Sequence, residues 1–161
     1  MRTAHIQHGD LKNRPIAAIE HLGDPMIASV AGIALGAAKN VPILLAGGTQ
    51  MTAVLAAITT LNREVVENVA IGTTRWISQD STSDIGGIVS QIAPVPVLAA
   101  NIDFGSSKLR GLQAYETGIV KEGVGAGGSV ISAIAKSRGS ISMKQVVDEI
   151  ERNYETLVKS Q

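Results

Sequence analysis

The chain has 161 residues, Lys plus Arg 14 against Asp plus Glu 14, no cysteine and 45% hydrophobic content. This length suits one domain covering residues 1–161, and the missing cysteines exclude disulfides and thiolate metal sites. Zero net charge supplies no basic field for nucleic acid or an acidic membrane, and together with the apolar content it leaves room for self-association. Residues 1–10 contain no apolar signal core, and no uninterrupted run of 18 apolar residues occurs, so a cytoplasmic location without a transmembrane helix is expected.

Aromatics are confined to Trp76, Phe104, Tyr115 and Tyr154, so the core must be built from Ala, Val, Ile and Leu. Such a core suits a mostly parallel sheet buried between helices. Along the chain, Pro15 can open a short helix. Asp24-Pro25 is a cap followed by a favoured first helical residue, and predicts a buried helix over 26–38. Gly32 and Gly36 put a groove on one face of it. Residues 41–46 read as a strand, Gly47-Gly48 as its end, and Thr49 as the cap of a helix over 50–61.

A second strand is expected over 69–71, ending at Gly72-Thr73-Thr74, with a polar loop over 73–83. Asp84 caps a short helix to about Ile92. A third strand is expected over 95–100 and a helix over 108–116. Ile119-Val120 reads as a short fourth strand. A glycine turn over 123–128 precedes a helix over 129–136, and Ser142 caps a final amphipathic helix to about Lys159. Alternating strands and helices predict βαβ units with right-handed crossovers: an α/β, Rossmann-like three-layer domain.

Ligands of open α/β sheets bind beyond the carboxyl ends of the strands. Four polar or glycine-rich segments occupy such ends: Gly47, Gly48, Thr49 and Gln50; Gly72, Thr73 and Thr74; Asn101 and Asp103; and Glu122 onward. Backbone N–H groups at Gly47-Gly48-Thr49 suit a phosphate or carboxylate, or an ordinary helix cap. Thr73, Thr74 and Arg75 can add contacts to an anion, or form a plain polar loop. Asn101 and Asp103 can read a sugar or a ring nitrogen.

Gly123, Gly125 and Gly128 match the glycines of the dinucleotide fingerprint. That fingerprint also requires an acidic residue ending a strand about 20 residues later. Asp148 and Glu149 have the spacing but fall in a predicted helix, so NAD is not expected. Glu122, at the mouth of the turn, is placed to take a proton from a ligand over the helix end. Apolar walls raise a carboxyl pKa toward the range of a general base. The structural alternatives are a turn that serves packing alone and a solvated carboxylate paired with Lys121 or Lys108.

His5, His8, Asp10 and His21 lack metal-ligand spacing, so no metal is expected. No Gly-x-Ser-x-Gly elbow is present, which sets aside a hydrolase of that type. Trp76 and Phe104 read as packing anchors.

Five segments occur in order: Leu22-Gly-Asp-Pro-Met26, Leu45-Ala-Gly-Gly-Thr-Gln-Met51, Ala70-Ile-Gly-Thr-Thr74, Leu98-Ala-Ala-Asn-Ile-Asp-Phe104 and Val120-Lys-Glu-Gly-Val-Gly-Ala-Gly-Gly128. Together they resemble the C-terminal half of the archaeal and cyanobacterial relatives of nicotinate-nucleotide–dimethylbenzimidazole phosphoribosyltransferase. The resemblance implies phosphoribose transfer from nicotinate mononucleotide to a benzimidazole-type base, in assembly of the cobalamin lower ligand. It implies no cofactor, a nucleotide and an aromatic base as ligands, and a homodimer.

In the bacterial enzymes a Glu in Glu-Gly-Thr-Gly-Ala removes the ring N–H proton, and Glu122 in Glu-Gly-Val-Gly-Ala is the matching position. Where those enzymes show Asp-Gly-Phe, this chain has Gly47-Gly48-Thr49, which implies a remodelled site and a different accepted base. Family members are about twice as long, and their first half carries another phosphate-binding turn. A non-catalytic binding or assembly module, a fragment or split subunit of such an enzyme, is the alternative.

Overall fold

A computed structural model describes residues 6–119 and 123–159. Among the described residues, three strands form one parallel sheet: β1 (Ile43–Ala46), β2 (Val69–Thr74) and β3 (Val97–Ala100), in spatial order β1-β2-β3. Ile43 stands beside Val69 and Ala46 beside Gly72; Ile71 stands beside Val97 and Thr74 beside Ala100. All three carboxyl ends therefore meet at one edge. The expected α/β, Rossmann-like class is what the chain adopts.

Side chains alternate across the sheet. One face, bearing Leu45, Val69 and Ile71, packs on α2 (Pro25–Ala37), α3 (Gln50–Leu61) and α5 (Ile85–Ile92) in a core where Val54, Leu55, Ile58 and Ile71 are fully buried. α1 (Pro15–Leu22) lies outside α3. The opposite face, bearing Leu44, Gly72 and Ala100, is covered by α7 (Gly125–Lys136). The second core joins α7 to α8 (Met143–Lys159) and to the aromatics, with Phe104, Leu112 and Val130 at its centre. α4 (Arg75–Ser78) and α6 (Arg110–Gln113) are single turns beside it.

The caps form where the sequence places them. Asp24 Oδ1 accepts from Ile27 N at 2.9 Å, and Asp84 Oδ1 from Gly87 N at 3.1 Å. Ser142 and Gln145 form a reciprocal box: Gln145 Oε1 accepts from Ser142 N at 2.8 Å, and Ser142 Oγ accepts from Gln145 N at 3.3 Å. Thr49 occupies the N-cap position of α3, but its hydroxyl makes no cap bond.

Several expectations are corrected. Gly72, Thr73 and Thr74 are not a turn: β2 runs through them, since their backbone pairs with Leu98, Ala99 and Ala100 of β3. The loop expected from 73 includes α4, and the helix expected over 108–116 shrinks to α6, whose second residue is Gly111. α7 begins at Gly125, not Ser129, because packing on the sheet outweighs the low helix propensity of glycine. The fourth strand is not seen at Ile119, which is a bend residue, and Val120 lies outside the described residues. The groove at Gly32 and Gly36 holds nothing: a Cβ at either would meet open space.

Candidate functional site

The carboxyl edge of the sheet gathers most of the singled-out segments, and glycine contacts fix how they fit. α7 lies on β1 and β2 with almost no spacing. A Cβ at Gly127 would overlap the Thr73 carbonyl, and one at Gly128 would lie 2.9 Å from Ala46 Cα. From the other side, a Cβ at Gly72 would lie 2.8 Å from Gly128 Cα. Backbone therefore meets backbone along this seam, which only glycine permits. The packing alternative for the glycine turn is thus true of Gly127 and Gly128.

The seam also positions the start of α7. A Cβ at Gly125 would lie 3.3 Å from Ala46 O, at the last residue of β1. Gly48 abuts Val124: its Cβ would lie 3.2 Å from Val124 Cγ2. Hence the turn after β1 and the turn before α7 are neighbours. Gly123 takes φ 69°, the left-handed region that favours glycine. The first α7 turn closes on the glycine turn at this edge: Ala126 N donates to Gly123 O at 2.8 Å and Gly127 N to Val124 O at 3.2 Å. Glu122, the expected proton acceptor, lies outside the described residues.

Gly47 and Gly48 are buried, and Gly47 N donates to Gly72 O at 2.9 Å. Thr49 and Gln50 are exposed at the mouth. Thr73 and Thr74 are buried, and among the described residues neither Oγ1 has a hydrogen-bond partner. By alternation Thr74 shares the α7 face with Gly72, and Thr73 points to the opposite core. Thr73 is therefore corrected from a loop ligand to a core residue. Thr74 stays at the strand end beside α7, its hydroxyl buried there.

Asn101 is exposed just beyond β3. Asp103 is engaged: its Oδ1 accepts from Gly105 N at 2.7 Å and lies 3.2 Å from Arg75 Nη2. Arg75 is held on three sides, since its Nε donates to Ile102 O at 2.6 Å and its Nη2 also pairs with Glu116 Oε2. Glu116 Oε1 accepts from Phe104 N at 2.8 Å. The guanidinium lies 5.7 Å from the Trp76 ring centroid, and Trp76 stacks on Phe104 at 5.6 Å and meets Tyr115 at 5.0 Å.

The aromatics are packing anchors, as expected. The Arg75–Glu116 link was not expected, because no local spacing connects residues 41 apart. Arg75 braces the loop after β3 instead of offering a free guanidinium to an anion. Tyr115 connects this wall to the glycine turn, its hydroxyl 3.9 Å from where a Cβ would stand on Gly123.

Asp148 and Glu149 sit on α8 in pairs with Lys144 and Arg152, away from any strand end, so the dinucleotide pattern lacks its acidic partner. Among the described residues, no group of three or more His, Asp or Glu is placed to hold a metal ion, and no helix is long and apolar enough to cross a membrane.

No protein-family model matches the chain. Its homologues are UPF0284 proteins. That of Sulfolobus acidocaldarius is 49% identical over 149 residues, 92% of this chain and 42% of the relative. That of Methanothermobacter thermautotrophicus is 42% identical over 159 residues, 98% of this chain and 43% of the relative. That of Gloeobacter violaceus is 45% identical over 139 residues, 83% of this chain and 37% of the relative. The name they share states no activity. The chain spans about two fifths of the length of these curated relatives.

Proposed function

With UPF0284 proteins as its homologues, we propose that this chain carries the site of a phosphoribosyl transfer from nicotinate mononucleotide to a benzimidazole-type base, in cobalamin lower-ligand assembly. The observation that carries this reading is the glycine seam. It holds the N-terminus of a 12-residue helix against the carboxyl ends of β1 and β2, beside Gly48. The positive end of the helix dipole favours an anion there, and the phosphate of the mononucleotide is such an anion. The Thr74 hydroxyl on the same face, without a hydrogen-bond partner among the described residues, adds a neutral donor.

The resemblance supplies the rest of the mechanism. Glu122, one residue before Gly123, accepts the ring N–H proton of the base. The freed nitrogen lone pair attacks the anomeric carbon of the ribose, the carbon–nitrogen bond to nicotinate breaks, and nicotinate leaves with that electron pair. The products are nicotinate and an α-ribazole phosphate. Holding the two reactants in line and moving one proton is work suited to fixed backbone donors and one carboxylate. Asn101, exposed beyond β3, and Thr49 and Gln50 at the mouth are the polar groups nearest to hand for the ribose and the base. The resemblance also carries a homodimer, which light scattering at tens of micromolar tests, an order chosen for weak association.

The reaction is tested by nicotinate release from nicotinate mononucleotide with dimethylbenzimidazole. The chain is assayed alone and together with the part of a UPF0284 relative that it does not span. Turnover should fall by about 100-fold or more in Glu122→Gln, the usual scale for loss of a general base. Unchanged turnover in a folded Glu122→Gln variant removes Glu122 from the mechanism. Binding of the mononucleotide without turnover in either assay favours a binding module.

A further inference from the structure

The outer face of α2 and the free edge of β1 make one continuous apolar surface. The α2 sequence, Pro-Met-Ile-Ala-Ser-Val-Ala-Gly-Ile-Ala-Leu-Gly-Ala, carries no charge and is apolar on nearly every side. A helix of that composition belongs inside a protein. Yet Ile33 is 70% exposed, and Gly32 and Gly36 face open space. The small residues thus leave a shallow track along the helix, flanked by a large aliphatic side chain.

β1 pairs on one side with β2, and among the described residues nothing pairs on its other side. Gly47 N donates toward β2. Alternation then turns the backbone N–H and C=O of Leu44 and Ala46 to the open side. Ile43-Leu-Leu-Ala46 contains no charge of the kind that guards an exposed edge. Between this edge and α2 lies a groove of about 440 Å3, with Met26, Val30, Ile33, Ile43, Leu45 and Met51 on its walls. More than half of each UPF0284 relative has no counterpart in this sequence.

We propose that the β1 edge and the α2 face seat a strand and a helix from that remaining part of the UPF0284 chain. The strand adds to the sheet beside β1 through the backbone of Leu44 and Ala46 and fills the groove with aliphatic side chains. The helix lies on the Gly32–Gly36 track. This occupant answers both features together: the unmatched length of the relatives is ample for a strand and a helix, and one βαβ-type unit supplies a strand to an edge and a helix to the adjoining face. The proposal is independent of the reaction proposed above.

The test co-expresses this chain with the part of the Methanothermobacter thermautotrophicus relative that lies outside the match. Complex formation is read by light scattering, and backbone exposure by amide hydrogen exchange. The expected result is a one-to-one complex in which exchange at Leu44 and Ala46 slows by about tenfold or more relative to the chain alone. Ile33→Lys, at an exposed position, should weaken that complex by about tenfold or more while leaving the thermal midpoint of the chain alone unchanged.

A soluble counterpart that forms no complex overturns the proposal. So does a complex in which Leu44 and Ala46 exchange as in the free chain, and so does a dimer of this chain alone that shields those same amides. If the counterpart is insoluble by itself, the chimera in which this sequence replaces the matched segment of the relative decides the matter. Protected Leu44 and Ala46 amides support the proposal, and unprotected ones overturn it.

Discussion

Gly127 shows how little freedom the candidate site has. A methyl group there would overlap the Thr73 carbonyl, which is held in the β2–β3 ladder and cannot move aside. Gly127→Ala should therefore destabilise the chain by about 1–3 kcal/mol, the usual cost of overpacking, read as a lower urea midpoint. Gly32→Ala is the contrast. Its Cβ meets open space on a helix, so the same assay should show a gain of about 0.5–1 kcal/mol. Arg75 makes a second residue-scale prediction. Arg75→Met leaves Glu116 with the Phe104 N–H and no cation, and should cost about 1.5–3 kcal/mol as a lost charged hydrogen bond.

At this scale the sequence was readable where chemistry is local. Glycines at 123, 125, 127 and 128 announced a close approach, but not whether a phosphate or a strand makes it; for Gly127 and Gly128 it is the strand. The Arg75–Glu116 pair was invisible because its partners meet only through tertiary folding.

Capping governs the element scale. Asp24, Asp84 and Ser142 each sit where an N-cap was expected and each accepts a backbone N–H three residues on. Ser142→Ala should cost about 1 kcal/mol and fray the start of α8, seen as faster amide exchange at Gln145. These ends were legible because a cap is written within four residues. The end of β2 was not. Gly72-Thr73-Thr74 has the composition of a turn, and only the neighbouring β3 backbone draws it into the ladder. The start of α7 was misplaced for the same reason. Four glycines in six residues oppose a helix by propensity, yet close packing on β1 and β2 requires them. In both cases the misread residues line the candidate site, where tertiary contacts override local preference.

At the scale of the whole molecule, both faces of the sheet are incompletely covered among the described residues. Ile43 and Val97 are only partly buried on the face that packs on α2, α3 and α5, and Leu98 on the α7 face is 43% exposed. Apolar composition and the alternation of elements were enough to indicate a parallel α/β sheet, since periodicity and glycine punctuation survive in one dimension. How far each layer is covered was not legible, because burial depends on which elements pack on it. Among the described residues, the open β1 edge and the apolar α2 face are the surfaces on which the covering strand and helix are proposed.

The proposed function puts ligand chemistry at the carboxyl edge of the sheet, at the start of α7. A titration of the 15N-labelled chain with nicotinate mononucleotide tests it most directly, performed with the chain alone and in complex with the remaining part of a UPF0284 relative. Saturable amide shifts centred on Gly48, Thr74, Gly125 and Ala126 are expected, with Leu11 and Ala56 on the far side of α3 unmoved. Saturable shifts centred on Leu11 and Ala56 in the apolar cavity between α1 and α3, or no shifts at the α7 start in either sample, would contradict it.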